Sequence, residues 1–154
     1  MKISFTLNGK NAEVETSANK TLLDLLRDDL GMQSVKKGCE AGECGACTVL
    51  LDRKPVTSCL VLAPQVENRG VTTVEGLAED ELMKALREAF MENGAIQCGF
   101  CTPGMLLSAY ALLRENPKPT KLEVKKGIEG NICRCTGYFK IIDAVIDAAE
   151  RIAN

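Results

Sequence analysis

Apolar and polar residues alternate at the start of the chain, so that Ile3, Phe5 and Leu7 share one side of an extended strand. Asn8-Gly9 follows, a pair suited to a two-residue hairpin turn, and Ala12-Glu13-Val14 returns as the partner strand. Thr21 then caps a helix whose apolar face carries Leu22, Leu23, Leu25, Leu26 and Leu30, with Gly31 as its stop. Beyond a loop rich in Gly and Cys come the apolar run Thr48-Val49-Leu50-Leu51, a turn at Asp52-Arg53-Lys54, a strand from Val56 to Leu62, and a last strand at Val71-Thr72-Thr73-Val74. Hairpin, helix and further strands predict a small α+β domain.

The pattern then changes to helical spacing. Leu82, Leu86 and Ala89-Phe90 lie on one face. Thr102-Pro103 reads as an N-cap followed by Pro at the first helical position. The run it opens, to Leu113, is apolar almost all round and so belongs in the middle of its domain. Pro117 and Pro119 break that helix, and Thr120-Lys121-Leu122-Glu123 forms a capping box for a short one ending near Gly130. A final helix carries Ile141, Ile142, Val145, Ile146 and Ala149 on one side. The second half is therefore a four-helix bundle. The boundary falls near Glu75-Gly76, giving domains at residues 1–76 and 77–154.

Composition narrows the function classes. Hydrophobic residues make up 45% and charged ones 26%, which fits a globular chain. With 4% aromatic residues and no Trp, the core must be aliphatic. A formal charge of −2 argues against nucleic acid, because phosphate binding relies on a basic face. The basic doublets Lys36-Lys37 and Lys125-Lys126 read as a solvated rim. Met1 to Asn8 is too short and polar for a signal peptide, and no apolar run approaches the ~20 residues of a membrane span, so a cytoplasmic protein is expected.

Eight Cys in such a chain point to metal, since cytosolic thiols are kept reduced. There is no His at all, which excludes Cys₂His₂ zinc fingers, Rieske centres, His-ligated haem and His-based acid–base catalysis. Cys39, Cys44, Cys47 and Cys59 are spaced C-x4-C-x2-C-x11-C. This is the plant-type [2Fe–2S] pattern, in which one loop supplies three thiolates and a following strand the fourth. Gly38, Gly42, Gly45, Ala41 and Ala46 leave room for backbone N–H groups to turn towards an anionic cluster. Structural zinc is the competing reading, although zinc sites more often pair C-x2-4-C knuckles. Cys98, Cys101, Cys133 and Cys135 form a second set, C-x2-C-x31-C-x-C. The first two open the buried helix, where the dipole favours thiolates. Spacing alone leaves both zinc and a cluster open here. A thioredoxin-like pair would need a βαβ setting that this half lacks.

Three segments together carry a resemblance: Cys39-Glu40-Ala41-Gly42-Glu43-Cys44-Gly45-Ala46-Cys47, Gln97-Cys98-Gly99-Phe100-Cys101-Thr102-Pro103-Gly104, and Gly130-Asn131-Ile132-Cys133-Arg134-Cys135-Thr136-Gly137-Tyr138. They resemble the iron–sulfur subunit of the xanthine dehydrogenase (molybdenum hydroxylase) family, and the likeness spans essentially the whole chain. It implies a β-grasp, plant-ferredoxin-type domain followed by an all-α four-helix domain, each with one [2Fe–2S] cluster on the cysteines named above. It further implies a large partner subunit bearing a molybdopterin dinucleotide, a medium subunit bearing FAD, and a complex that dimerises further. Gln97 and Cys135 are implied to lie against the pterin. An amide at Gln97 can both donate and accept there, and can equally serve as a helix cap. Glu43 and Arg134 read as surface residues.

The expected role is that of an electron-transfer subunit without catalytic residues of its own, belonging to an oxidoreductase. A freestanding ferredoxin-like carrier or redox sensor is the alternative within the cluster readings, and a structural zinc module is the alternative outside them. The substrate of the complex is not encoded in this chain, because no residue here is expected to touch it.

Overall fold

The computed structural model describes all of residues 1–154. Strands β1 (Lys2–Leu7) and β2 (Lys10–Glu15) pair antiparallel about the Asn8-Gly9 turn. Both turn residues have positive φ, 51° and 79°, which matches the twist of the flanking strands. Asn8 also ties the turn to the segment just after Thr72, donating to Thr73 Oγ1 at 2.9 Å and accepting from Thr73 N–H at 2.8 Å.

Thr21 caps α1 (Leu22–Asp24), accepting from the Asp24 N–H at 3.1 Å. The helix continues as a π-helical turn over Leu25–Asp29 instead of a regular α-helix. Leu22, Leu23, Leu25 and Leu26 are all within 1% exposure.

Strands β3 (Thr48–Leu51), β4 (Lys54–Thr57) and β5 (Gly70–Thr72) complete a mixed sheet in the order β2-β1-β5-β3-β4, with β1 and β5 parallel. The sheet grips the leucines of α1, the β-grasp arrangement expected. The strand expected at Val56 to Leu62 differs. It begins at Lys54, ends at Thr57, and gives way to 3-10 turns at Ser58–Leu60 and Ala63–Val66. Extended backbone and a 3-10 turn share the same apolar pattern over so few residues, and Pro64 cannot donate to a ladder.

In the second half α2 (Glu81–Glu92), α3 (Thr102–Glu115), α4 (Lys121–Gly127) and α5 (Phe139–Ala153) form the four-helix bundle. The α3 N-cap is Cys101, one residue before the position expected, with Thr102 already helical and Pro103 in the first turn. Ten of its residues are buried, which bears out its central place. The Thr120–Glu123 capping box is present, but α4 ends at Gly127 and not near Gly130. Residues 128–130 instead form a turn that delivers Asn131, whose N–H donates to the Ile128 carbonyl at 2.9 Å.

The two halves have separate hydrophobic cores that meet at β3. Val49 and Leu51 belong to the core beneath α1, whereas Leu50 belongs to the core of the helices. Alternate side chains of one strand thus feed two domains. The helical core is filled by Met83, Leu86, Phe90, Met105, Leu107 and Ile141, each within 1% exposure. Phe90→Ala is expected to lower stability by about 3–5 kcal/mol, the usual effect of emptying a fully buried aromatic site. Urea denaturation followed by helical circular dichroism measures this. A loss of about 1 kcal/mol or less would show that the bundle is not centred on that ring.

Candidate metal centre

Neighbouring thiols link cysteines within each of the two sets. In the first set, the Cys39 thiol faces Cys44 and the Cys59 thiol faces Cys47. In the second, Cys101 faces Cys133 and Cys135 faces Cys98. The Cys59 thiol also feels Cys39, and the Cys101 thiol also feels Cys98; four thiolates suit an iron–sulfur cluster.

The loop from Gly38 to Cys47 is built around sulfur. Cys39 Sγ accepts N–H bonds from Ala41, Glu43 and Cys44 at 3.3, 3.2 and 3.3 Å. Cys44 Sγ accepts from the N–H groups of Cys39 and Ala46, each at 3.4 Å. The Ala41, Cys44 and Glu43 amides pull the Cys39 thiol down to about 7, so it becomes a thiolate readily. Glu40 takes a positive φ of 52° and Gly42 one of 77°, which is how successive N–H groups come to point the same way. A Cβ on Gly38 would lie 2.6 Å from Cys44 Sγ. This position is therefore closed to any side chain while the sulfur keeps its place. The loop's start is anchored by Lys37, whose ammonium bridges Asp24 and Asp28 at 2.8 Å each. Lys37 thus stays on the solvated rim while pairing with the first helix.

The fourth sulfur of the set comes from the 3-10 turn after β4, not from a strand as expected. Cys47 and Cys59 are buried, and burial first, then the neighbouring Cys47 sulfur, pushes the Cys59 thiol up to about 11. A buried thiol resists ionisation alone and is suited to bonding a metal that displaces its proton. Cys39 is exposed and Cys44 half-buried.

The second set lies between helices. Cys98 and Cys101 precede α3, while Cys133 and Cys135 precede α5. Burial, then the Cys133 sulfur, pushes the Cys101 thiol up to about 12. Burial also works against ionising Cys133, but the Thr136 hydroxyl and N–H, at 3.1 and 3.4 Å, outweigh it and hold that thiol below its ordinary value. Tyr138 stands in the left-handed region with φ 73°, and its hydroxyl accepts the Cys133 N–H at 3.0 Å. Sequence patterns missed this brace, since an aromatic residue at a helix start carries no capping signal. Cys98, Cys135 and Gln97 are exposed together, as are Phe100 and Phe139. Glu43 and Arg134 lie on the surface. The donor set, the inward amides and the space kept free by glycine all fit anionic sulfur-ligated clusters.

Comparison with known proteins agrees. A family model described as a 2Fe-2S iron-sulfur cluster binding domain matches residues 5–73, and one described as a [2Fe-2S] binding domain matches residues 73–146. The nicotinate dehydrogenase small FeS subunit of Eubacterium barkeri is 53% identical over 152 residues, covering 99% of this chain and 97% of its own length. The xanthine dehydrogenase iron-sulfur-binding subunit of Escherichia coli O157:H7 is 43% identical over 151 residues, covering 96% of this chain and 94% of its own. Among solved structures, quinoline 2-oxidoreductase from Pseudomonas putida 86 superposes with a TM-score of 0.94 at 47% identity, covering 99% of this chain and 96% of that one.

The crowding at Gly38 provides a test. Gly38→Ala should cut iron and acid-labile sulfide from about four of each per chain to about two. Gly130→Ala, where an added Cβ meets nothing within 4 Å, should leave both counts unchanged. Full loading of the Gly38 variant would show that the loop can yield there.

Proposed function

The chain belongs to the iron–sulfur subunits of the xanthine dehydrogenase (molybdenum hydroxylase) family, and on that premise we propose how its residues carry out electron transfer. It is the subunit of a multi-subunit oxidoreductase that holds two [2Fe–2S] clusters. Cys39, Cys44, Cys47 and Cys59 ligate one cluster, and Cys98, Cys101, Cys133 and Cys135 the other. Each cluster, when bound, supplies a one-electron couple. The protein's part is to hold the thiolates, to meet their charge with N–H donors, and to bring the two sets together.

One observation carries this reading. The Ile132 N–H donates to the Cys44 carbonyl at 2.9 Å. Cys44 belongs to the first set and Ile132 directly precedes Cys133 of the second. A short run of covalent bonds and a single hydrogen bond therefore connects sulfur to sulfur. A freestanding carrier needs one exposed centre, whereas here each set reaches the surface through its own cysteines. Cys39 does so for the first set, and Cys98 and Cys135 for the second.

The second set faces the large subunit with its molybdopterin dinucleotide, where Gln97 and Cys135 meet the pterin. Support comes from their shared exposure and from the apolar residues beside them, Phe139 at 80% and Phe100 at 47% exposed. The first set faces the FAD-bearing medium subunit, beside the exposed Leu60 and Leu62. No helix is long and apolar enough to cross a membrane. A cytoplasmic complex accords with thiols that must stay reduced until they take up iron.

Affinity purification through this chain should bring down one subunit with molybdenum and pterin and another with FAD. Phe139→Asp should weaken the first association about tenfold or more, since burying such a side chain contributes ~1.5–3 kcal/mol and ~1.4 kcal/mol is a factor of ten. The iron content should not change. Wild-type affinity of this variant would move the interface elsewhere. In the assembled complex, Gln97→Ala should slow reduction of the second cluster by substrate, read by rapid mixing with the two centres resolved by electron paramagnetic resonance. An unchanged rate would remove Gln97 from the pterin contact.

A further inference from the structure

Asn131 lies between the two cysteine sets, 4% exposed, with both ends of its side-chain amide engaged. Its Nδ2 donates to the Gly45 carbonyl at 3.1 Å and to Thr48 Oγ1 at 3.2 Å. Its Oδ1 accepts from Ser108 Oγ at 2.6 Å. Gly45 directly follows Cys44, Thr48 directly follows Cys47, and Asn131 stands two residues before Cys133. Ser108 belongs to α3, the helix that Cys101 caps. One side chain therefore joins the first cysteine loop, the first residue of β3, the central helix of the bundle and the second cysteine loop.

The backbones around it touch as closely as glycine permits. A Cβ on Gly45 would lie 2.2 Å from the Gly130 carbonyl oxygen and 2.8 Å from Asn131 Nδ2. A Cβ on Gly104 would lie 2.5 Å from the Gly45 carbonyl oxygen. Nothing in this contact is tuned by long side chains, so the separation of the two loops follows from backbone contact and the amide that spans it. An amide is suited to that place because one planar group offers two donors and an acceptor. A carboxylate would set an acceptor against the Gly45 carbonyl, and an aliphatic side chain would leave the buried Ser108 hydroxyl without its acceptor.

We propose that Asn131 is a positioning residue that sets the distance between the two clusters by holding Gly45 and Thr48 of the first domain against Ser108 of the second. The proposal rests on the two-cluster reading above. Two reduced [2Fe–2S] centres are both paramagnetic, and at short range each splits the other's resonance. That splitting reports separation directly and does not depend on turnover.

The test uses the full chain, reduced with dithionite and examined by low-temperature electron paramagnetic resonance, with iron and sulfide counted in the same samples. Asn131→Ala should keep about four of each per chain while the splitting weakens. Thr48→Val, which removes one acceptor of the amide together with the 2.6 Å donation from Thr48 Oγ1 to the Gly45 carbonyl at the same seam, should change it in the same direction by less. Leu86→Ala, also a loss of buried side chain but within α2, should leave it as in the wild type. Wild-type splitting in a fully loaded Asn131→Ala protein overturns the proposal. If that variant does not hold its clusters, Thr48→Val decides alone, and wild-type splitting there overturns it equally. Fewer than about four irons in the wild type would count against the two-cluster reading and not against the role of Asn131.

Discussion

Negative charge on sulfur that is taken from water must be met by donors, and this chain has few side chains to offer. With no His and no basic side chain aimed at the sulfurs of the first loop, the donors there are backbone amides from Cys39, Ala41, Glu43, Cys44 and Ala46. That demand explains the loop's composition. Amides can converge on a sulfur only where the chain turns sharply, as at Glu40 and Gly42, and where no Cβ stands between, as at Gly38. The surrounding fold keeps such a loop from collapsing. Lys37 pins one end to α1, and Thr48 at the other end enters a strand buried on both sides.

The same demand is met differently in the second set. There the chain between the cysteines is helical, and a helix spends its N–H groups on its own carbonyls. Donors must come from short connecting segments and hydroxyls, and Thr136 supplies both kinds to Cys133. Tyr138 in turn accepts the Cys133 N–H and holds the turn into α5, adopting a left-handed conformation that a non-glycine residue tolerates only when several contacts insist on it. The two domains thus solve one electrostatic problem with different local means, amide-rich loop against hydroxyl-braced turn.

Features decided by neighbouring residues were legible in the sequence. The Asn8-Gly9 hairpin, the Thr21 cap and the Thr120–Glu123 box all depend on local chemistry, and all are present. Features decided at a distance were not legible. Nothing within Val56 to Leu62 distinguishes a long strand from a short one followed by a 3-10 turn, because the outcome depends on where Cys59 must meet Cys47. The π-helical turn that follows Asp24 carries no signal in the local pattern of leucines. The run Thr48–Leu51 does not alternate, so its pattern could not reveal that Leu50 faces the helices while Val49 and Leu51 face α1. Asn131 stood out only as one letter of a motif, since its partners Gly45 and Thr48 are 86 and 83 residues away.

Placing the junction of the domains at the cysteine loops has a mechanical consequence. Two small domains joined only by a linker would move relative to each other, and any distance between groups held in each would fluctuate with that motion. Here Leu50 is shared with the helical core, so β3 cannot leave one domain's packing without disturbing the other's. The buried hydrogen bonds of Asn131 and the Ile132–Cys44 backbone bond lie at that same seam. Apolar sharing resists separation, while the directional polar bonds resist sliding, which hydrophobic contact alone does not. The seam that keeps the halves in register also holds a bonded connection between the Cys44 and Cys133 loops, so the proposed electron path and the rigidity of the junction are demands on the same few residues. A substitution there would not trade one property against the other; it would disturb both together.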